Sequence, residues 1–193
     1  MDNSRYLDCL SSDYGDLRDA ATAVELTSPV PSCPGWTVAD LVFHVGEVYL
    51  HKAIVMRTGR WPDPWPPAGV ADEAPLALLG RAYGELTASF AAREPASPSL
   101  TWYDPDQTVA FWIRRMAQET VIHRIDAEDL TDGAELERQE AVDQHHRDVT
   151  QHGAPSIAGM VRGRDPPWIA GAARGRDPPR CRVCQILWQD VSR

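Results

Sequence analysis

At 193 residues the chain has room for one domain with a substantial core plus an appendage, and too little for two domains of ordinary size. A net charge of −9 excludes the basic face that nucleic-acid phosphates require, and no apolar run approaches the ~20 residues of a membrane span. The opening MDNSRYLDCL lacks the basic-then-apolar order of a signal peptide, so a cytoplasmic location is expected, with Cys9, Cys33, Cys181 and Cys184 as thiols rather than disulfides.

Leu7, Leu10, Tyr14, Leu17, Ala21 and Val24 step by three and four, which predicts a first amphipathic helix. A second is predicted over about 38–58. Pro34 and Gly35 turn the chain, Thr37 and Asp40 form a Thr-x-x-Asp capping box, and Trp36 with Leu41 stand where a hydrophobic staple needs them. Leu41, Val45 and Val48 continue its apolar line. WPDPWPPAG at 61–69 cannot be helix interior, because each proline removes a donor and clashes with the preceding turn.

Leu76, Leu79, Tyr83, Leu86 and Phe90 mark a third helix. The connector after it contains LTWYD at 100–104, read here as a site for a short strand. The fourth stripe is Trp112, Met116, Glu119, His123, Ala127 and Leu130, so a carboxylate and an imidazole lie in line with apolar side chains. The fold class expected is all-α, four helices around one core, with any metal site built between facing helices.

Beyond residue 140 the texture changes. Residues 141–193 hold eight Arg against five Asp with no Lys or Glu, a local +3 that leaves −12 for residues 1–140. RGRDPP occurs at 162–167 and again at 174–179, and no stripe survives. Such a composition offsets little of its ordering entropy by burial, so the expectation is a bundle over 1–140 followed by an irregular, poorly packed tail over 141–193. The lone CxxC of Cys181 and Cys184 has neither a second pair for a zinc knuckle nor a strand before it for a redox motif, and His145, His146 and His152 are read as an unstructured cluster.

Glu119 and His123 are one helical turn apart, with β-carbons about 5–6 Å from each other on one face. A carboxylate facing a core must be partnered, and the pair is close enough to share an ion. The spacing alone is weak, since Glu47 and His51 repeat it; that second pair is set beside Lys52 and Tyr49, both expected to be exposed. A third ligand has to come from another helix. His44, at the apolar border of the second helix next to Leu41 and Val48, is the first candidate and His51 its rival.

Three segments together, VPSCPGWTVADLVFHVGEV, LTWYD and FWIRRMAQETVIHRIDAEDL, resemble the maleylpyruvate isomerase N-terminal domain family, mycothiol-dependent enzymes of the DinB-like superfamily. The likeness spans about residues 4–132, and rests on PGWTV opening a helix, a His seven residues after the Thr, and RRxxxExxxHRxDAE in the last helix. The resemblance implies a DinB-like four-helix bundle whose second and fourth helices give one His, one Glu and one His to a divalent metal, usually zinc. Matched here these are His44, Glu119 and His123. Asp126 matches the Asp of HRxD and is expected to orient the His123 ring, the other reading being a surface partner for Arg124. In similar sequences a His commonly precedes the Glu; here it is Gln118.

Two His and one Glu leave a coordination position open, as catalytic rather than structural zinc sites do. The resemblance implies that mycothiol supplies the sulfur there, for isomerisation or transfer to a small electrophile, and Arg114 and Arg115 are candidate anchors for substrate carboxylates. Family members usually continue into a smaller C-terminal domain that helps hold the thiol. Nothing after about residue 135 resembles it, so a truncated or frame-shifted chain is expected. Two functions follow: a metal-dependent thiol transferase or isomerase, and a non-catalytic metal-binding bundle, either an interaction module or the remnant of such an enzyme. Partners are expected to be small molecules, with neither nucleic acid nor membrane.

Overall fold

A computed structural model describes residues 2–129. These form four α-helices, α1 (Asn3–Thr22), α2 (Val38–Thr58), α3 (Pro75–Ala91) and α4 (Val109–Glu128), with a short 3-10 turn at Val70–Asp72. No strand occurs among the described residues, and the fold there is the expected all-α, DinB-like four-helix bundle. The expected boundary near 140 and the tail over 141–193 lie outside the described residues, as do Cys181, Cys184, His145, His146 and His152.

The helix starts follow from their caps. Asp2 accepts from Arg5 N at the head of α1. At α2 the capping box is complete: Thr37 Oγ1 accepts from Asp40 N (3.2 Å) while the Asp40 carboxylate accepts from Thr37 N (3.0 Å). Such a box satisfies two otherwise orphaned donors. Gly59 ends α2 in the left-handed region, φ 66°, where its N–H donates to Val55 O. Pro75 opens α3, where its missing N–H costs nothing.

α1 packs mainly on α4 and α2 mainly on α3, with α2 and α4 meeting along a shorter stretch. The two inner helices therefore each have two neighbours. That is why α4 buries Phe111, Ile113, Ala117, Thr120, Ile122 and Ile125 besides its predicted line of Trp112, Met116, Glu119, His123 and Ala127. For the same reason Tyr49 and Lys52 of α2 are buried, correcting the expectation that they are exposed: the face they occupy is turned to a second neighbour rather than to water. Gly46 lets α2 and α3 approach closely, since a β-carbon there would lie 2.9 Å from Leu78 Cγ and 3.1 Å from the Leu79 backbone nitrogen.

The lead-ins to α2 and α4 are built alike. Pro29 bridges Thr37 and Pro98 bridges Thr108. Val38 N donates to Ser28 O (2.9 Å) and Val109 N to Ser97 O (3.0 Å), and each Thr caps the helix that follows. Counted from these caps, His44 and Arg115 both stand seven residues into their helices. The LTWYD connector holds no strand beyond that single bridge. Gln107 folds it instead: its Oε1 accepts from Thr101 N (3.0 Å) and its Nε2 donates to Tyr103 O (2.9 Å). Trp112 Nε1 donates to Leu100 O (3.0 Å), tying the connector to α4.

Candidate metal centre

α4 carries Glu119 and His123 on the side that meets α2, and α2 carries His44 to the same place. His123 Nε2 lies 3.2 Å and His44 Nε2 3.6 Å from the same carboxylate oxygen, Glu119 Oε1. The two imidazoles stand edge to face with ring centroids 5.2 Å apart. One ligand atom from each residue falls within 4.8 Å of the other two, and among the described residues this is the one group of three such side chains that could hold a metal ion. Around a tetrahedral ion with bonds of about 2.1 Å the ligand atoms are about 3.4 Å from one another. The two distances to Glu119 are already of that size, so the trio fits a divalent metal with small side-chain adjustments. Access comes from the His44 side: its side chain is 28% exposed, against 8% for Glu119 and 0% for His123.

Two of the three side chains, Glu119 and His123, are held from behind. Arg115, one turn before Glu119, donates from Nη2 to Glu119 Oε2 at 2.8 Å, so that Oε1 is the oxygen left facing the imidazoles. Burial raises the Glu119 pKa, but the Arg115 charge and the hydrogen bonds to His123 and His44 outweigh it and hold the carboxyl well below the usual range. Asp126 is fully buried and takes His123 Nδ1 on Oδ2 at 3.0 Å. A carboxylate only accepts, so Nδ1 carries the proton, and Nε2 is the nitrogen available to an ion. Burial alone would lower the His123 pKa; the hydrogen bonds to Asp126 and Glu119 reverse this and raise it to about 10.

Asp126 therefore bonds the His123 ring, while the Arg124 guanidinium pairs with Asp13 (3.1 Å) and Glu128 (2.6 Å). The other oxygen of Asp126 accepts from Ser32 Oγ at 2.6 Å, a contact across 94 residues of sequence that the reading by spacing did not find. The signal was present in PSCPGW, but nothing local tells which side chain of a loop reaches a distant helix.

His51, the rival ligand, does not join the trio. Its ring packs on Trp61 (5.9 Å between centroids) and edge-on to Trp65 (4.8 Å). Burial and the neighbouring Lys52 keep it neutral. Lys52 Nζ lies 3.3 Å from His51 Nδ1 and over the rings of Trp102 and Trp112, at 5.3 and 5.4 Å. Burial lowers its pKa to about 7, against an opposing pull from the Glu119 charge. Glu47, half-buried, takes no part. Arg114 is turned outward and pairs with Asp106 at 3.3 Å.

The family model for the mycothiol maleylpyruvate isomerase N-terminal domain matches residues 7–128, a stretch that runs through all four helices and includes the trio. The chain belongs to the mycothiol maleylpyruvate isomerase N-terminal domain family. No curated protein and no solved structure matches it. In this member of the maleylpyruvate isomerase N-terminal domain family the His, Glu and His positions implied by the resemblance are the ones the fold brings together. No helix among the described residues is long and apolar enough to cross a membrane.

Proposed function

We propose that the protein is a divalent-metal-dependent, mycothiol-dependent transferase or isomerase of the maleylpyruvate isomerase type, with zinc as the metal held by His44, Glu119 and His123. The convergence of two imidazoles on one buried carboxylate oxygen carries this reading. The donor set supports it, since nitrogen and oxygen ligands from three side chains leave a position for an exchangeable fourth. Neutral imidazole also suits iron and nickel, so metal analysis is part of the test.

The bound ion would supply one thing: it lowers the pKa of a coordinated thiol from its ordinary value near 8.5, making a thiolate available at neutral pH. The remaining work falls to the chain. Arg115 keeps Glu119 ionised and turned toward the imidazoles. Asp126 fixes the proton of His123 on Nδ1. The half-buried His44 leaves the side from which a small thiol and an electrophile approach. Addition of the thiol to an unsaturated diacid, followed by its loss, isomerises the double bond; retention of the sulfur gives a conjugate.

Arg115 is the better-placed anchor for a substrate carboxylate. Its Nη1 is buried with no hydrogen-bond partner among the described residues, next to the trio, whereas Arg114 faces solvent. This function suits the cytoplasm, where thiols are kept reduced. Its partners are small molecules, and neither nucleic acid nor membrane enters.

The test uses the full chain. Elemental analysis should find one divalent ion per wild-type chain and none in His123→Ala, and mycothiol with a generic electrophile should be consumed only by the metal-loaded wild type. Bound metal without thiol turnover would instead favour a non-catalytic metal-binding bundle.

A further inference from the structure

The loop before α2 touches both imidazole ligands, one directly and one through a carboxylate. Ser32 Oγ donates to Asp126 Oδ1 (2.6 Å), and Asp126 Oδ2 holds His123 Nδ1 (3.0 Å). Four residues further along the same loop, the Trp36 ring packs against His44 with centroids 5.2 Å apart at 59°. The loop itself is tightly closed. Cys33 N donates to Val30 O (3.1 Å), Trp36 N to Cys33 O (2.9 Å) and Val30 N to Trp36 O (2.9 Å). Val30 and Cys33 are sunk in the core at 2% and 0% exposure, and Gly35 takes φ 87°, a conformation that side-chain-bearing residues avoid.

We infer that the loop 30–37 is a clasp for the metal centre, in which Ser32 is a positioning residue that acts on His123 through Asp126 while Trp36 sets the His44 ring. The physical reason is rotational. An i,i+4 pair on one helix is placed by backbone geometry, but each imidazole still turns about its own side-chain torsions, and a ligand nitrogen off by tens of degrees no longer points at a common ion. Asp126 by itself fixes one edge of the His123 ring only as well as its own carboxylate is fixed. The Ser32 hydroxyl, carried by a loop whose backbone is pinned at Val30 and Cys33, gives that carboxylate a fixed donor on its other oxygen. Because the same rigid loop bears Trp36, the orientation of one ligand from each of two helices is referred to a single piece of backbone.

The inference rests on the metal reading above, and the test separates the two. Zinc affinity is measured on the full chain by competition with a chromophoric chelator, for wild type, Ser32→Ala, Ser32→Thr, Asp126→Asn and the Ser32→Ala/Asp126→Asn double variant, with the thermal midpoint of each metal-free protein recorded alongside. Ser32→Ala should weaken zinc binding about tenfold with little change in midpoint. Ser32→Thr, which keeps the hydroxyl, should restore it, and Ser32→Ala should add little in the Asp126→Asn background, because the two act through one chain. Unchanged affinity in Ser32→Ala overturns the clasp, as does an equal loss in Ser32→Ala and Ser32→Thr. If the wild type binds no zinc, the metal reading fails. The clasp is then decided in the metal-free protein by the ring nitrogen and proton resonances of His123: a shift in Ser32→Ala supports positioning, and unshifted signals reject it.

Discussion

Arg115 Nη2 and Glu119 Oε2 are joined at 2.8 Å along one turn of α4, and this pairing leaves the opposite oxygen to meet both imidazoles. The guanidinium brings a positive charge beside the candidate cation site, which by itself opposes binding, yet it keeps the buried carboxyl ionised. Which effect wins depends on pH. In Arg115→Leu the Glu119 pKa should rise, so the loss of zinc affinity relative to wild type should be larger at pH 5 than at pH 8. An equal loss at both, measured by chelator competition, would show that the carboxyl does not depend on Arg115 for its charge.

His123 places a carboxylate at each ring nitrogen and is held at about 10, so at neutral pH the metal-free ring carries both protons. An incoming ion must displace the proton on Nε2. Binding at pH 7 should therefore release about one proton per ion, and affinity should climb up to about tenfold per pH unit until pH approaches 10. Calorimetry in buffers of different ionisation enthalpy reads the released proton directly; a buffer-independent heat would contradict the assignment.

Two buried groups titrate in opposite senses, and their effects on stability should nearly cancel in the metal-free protein. His123 is raised from 6.5 to about 10, so between those values the folded state binds the extra proton and stability falls as pH rises. Lys52 is lowered from 10.5 to about 7, so between those values the unfolded state binds the extra proton and stability rises with pH. Each slope is at most about 1.4 kcal/mol per pH unit. Thermal midpoints measured from pH 7 to 9.5 should fall for Lys52→Met, rise for His123→Gln, and change little for wild type.

Gly46 separates packing from the site. In Gly46→Ala the new methyl would meet Leu78 and the Leu79 backbone, and overpacking against backbone costs about 1–3 kcal/mol, more than the roughly 1 kcal/mol that alanine gains over glycine inside a helix. Chemical denaturation should show a net loss of stability at the α2–α3 contact. Metal stoichiometry, set by the α2–α4 contact, should stay at one.

At the start of α2, Thr37→Ala removes the acceptor for Asp40 N and the hydroxyl donor to the Asp40 carboxylate, which keeps the bond from the backbone nitrogen of residue 37. A lost cap of this kind costs about 1 kcal/mol. Thr37→Ser should recover most of it, which distinguishes the cap from the threonine methyl in a denaturation experiment.

What the sequence by itself determined was whatever is local. Four apolar stripes marked four helices because helical periodicity brings every third and fourth side chain to one face, and the Thr37–Asp40 box marked a helix start because its partners are three residues apart. Glu119 and His123 could be paired for the same reason. The stripe of one helix, however, records only one buried face, so it left Lys52 and Tyr49 outside the core, where an inner helix with two neighbours in fact buries them. Its place on the apolar border of the second helix put His44 ahead of His51, and the family resemblance agreed. Only the tertiary structure shows why: the two lie on nearly the same face of α2, two turns apart, and the level at which α2 meets α4 sets His44 at the Glu119 oxygen and leaves His51 to Trp61 and Trp65. The Ser32–Asp126 contact, the close approach at Gly46 and the seat of Lys52 over Trp102 and Trp112 are likewise products of how the helices are set against one another. Such contacts join residues far apart in the chain, and no spacing within a single segment encodes them.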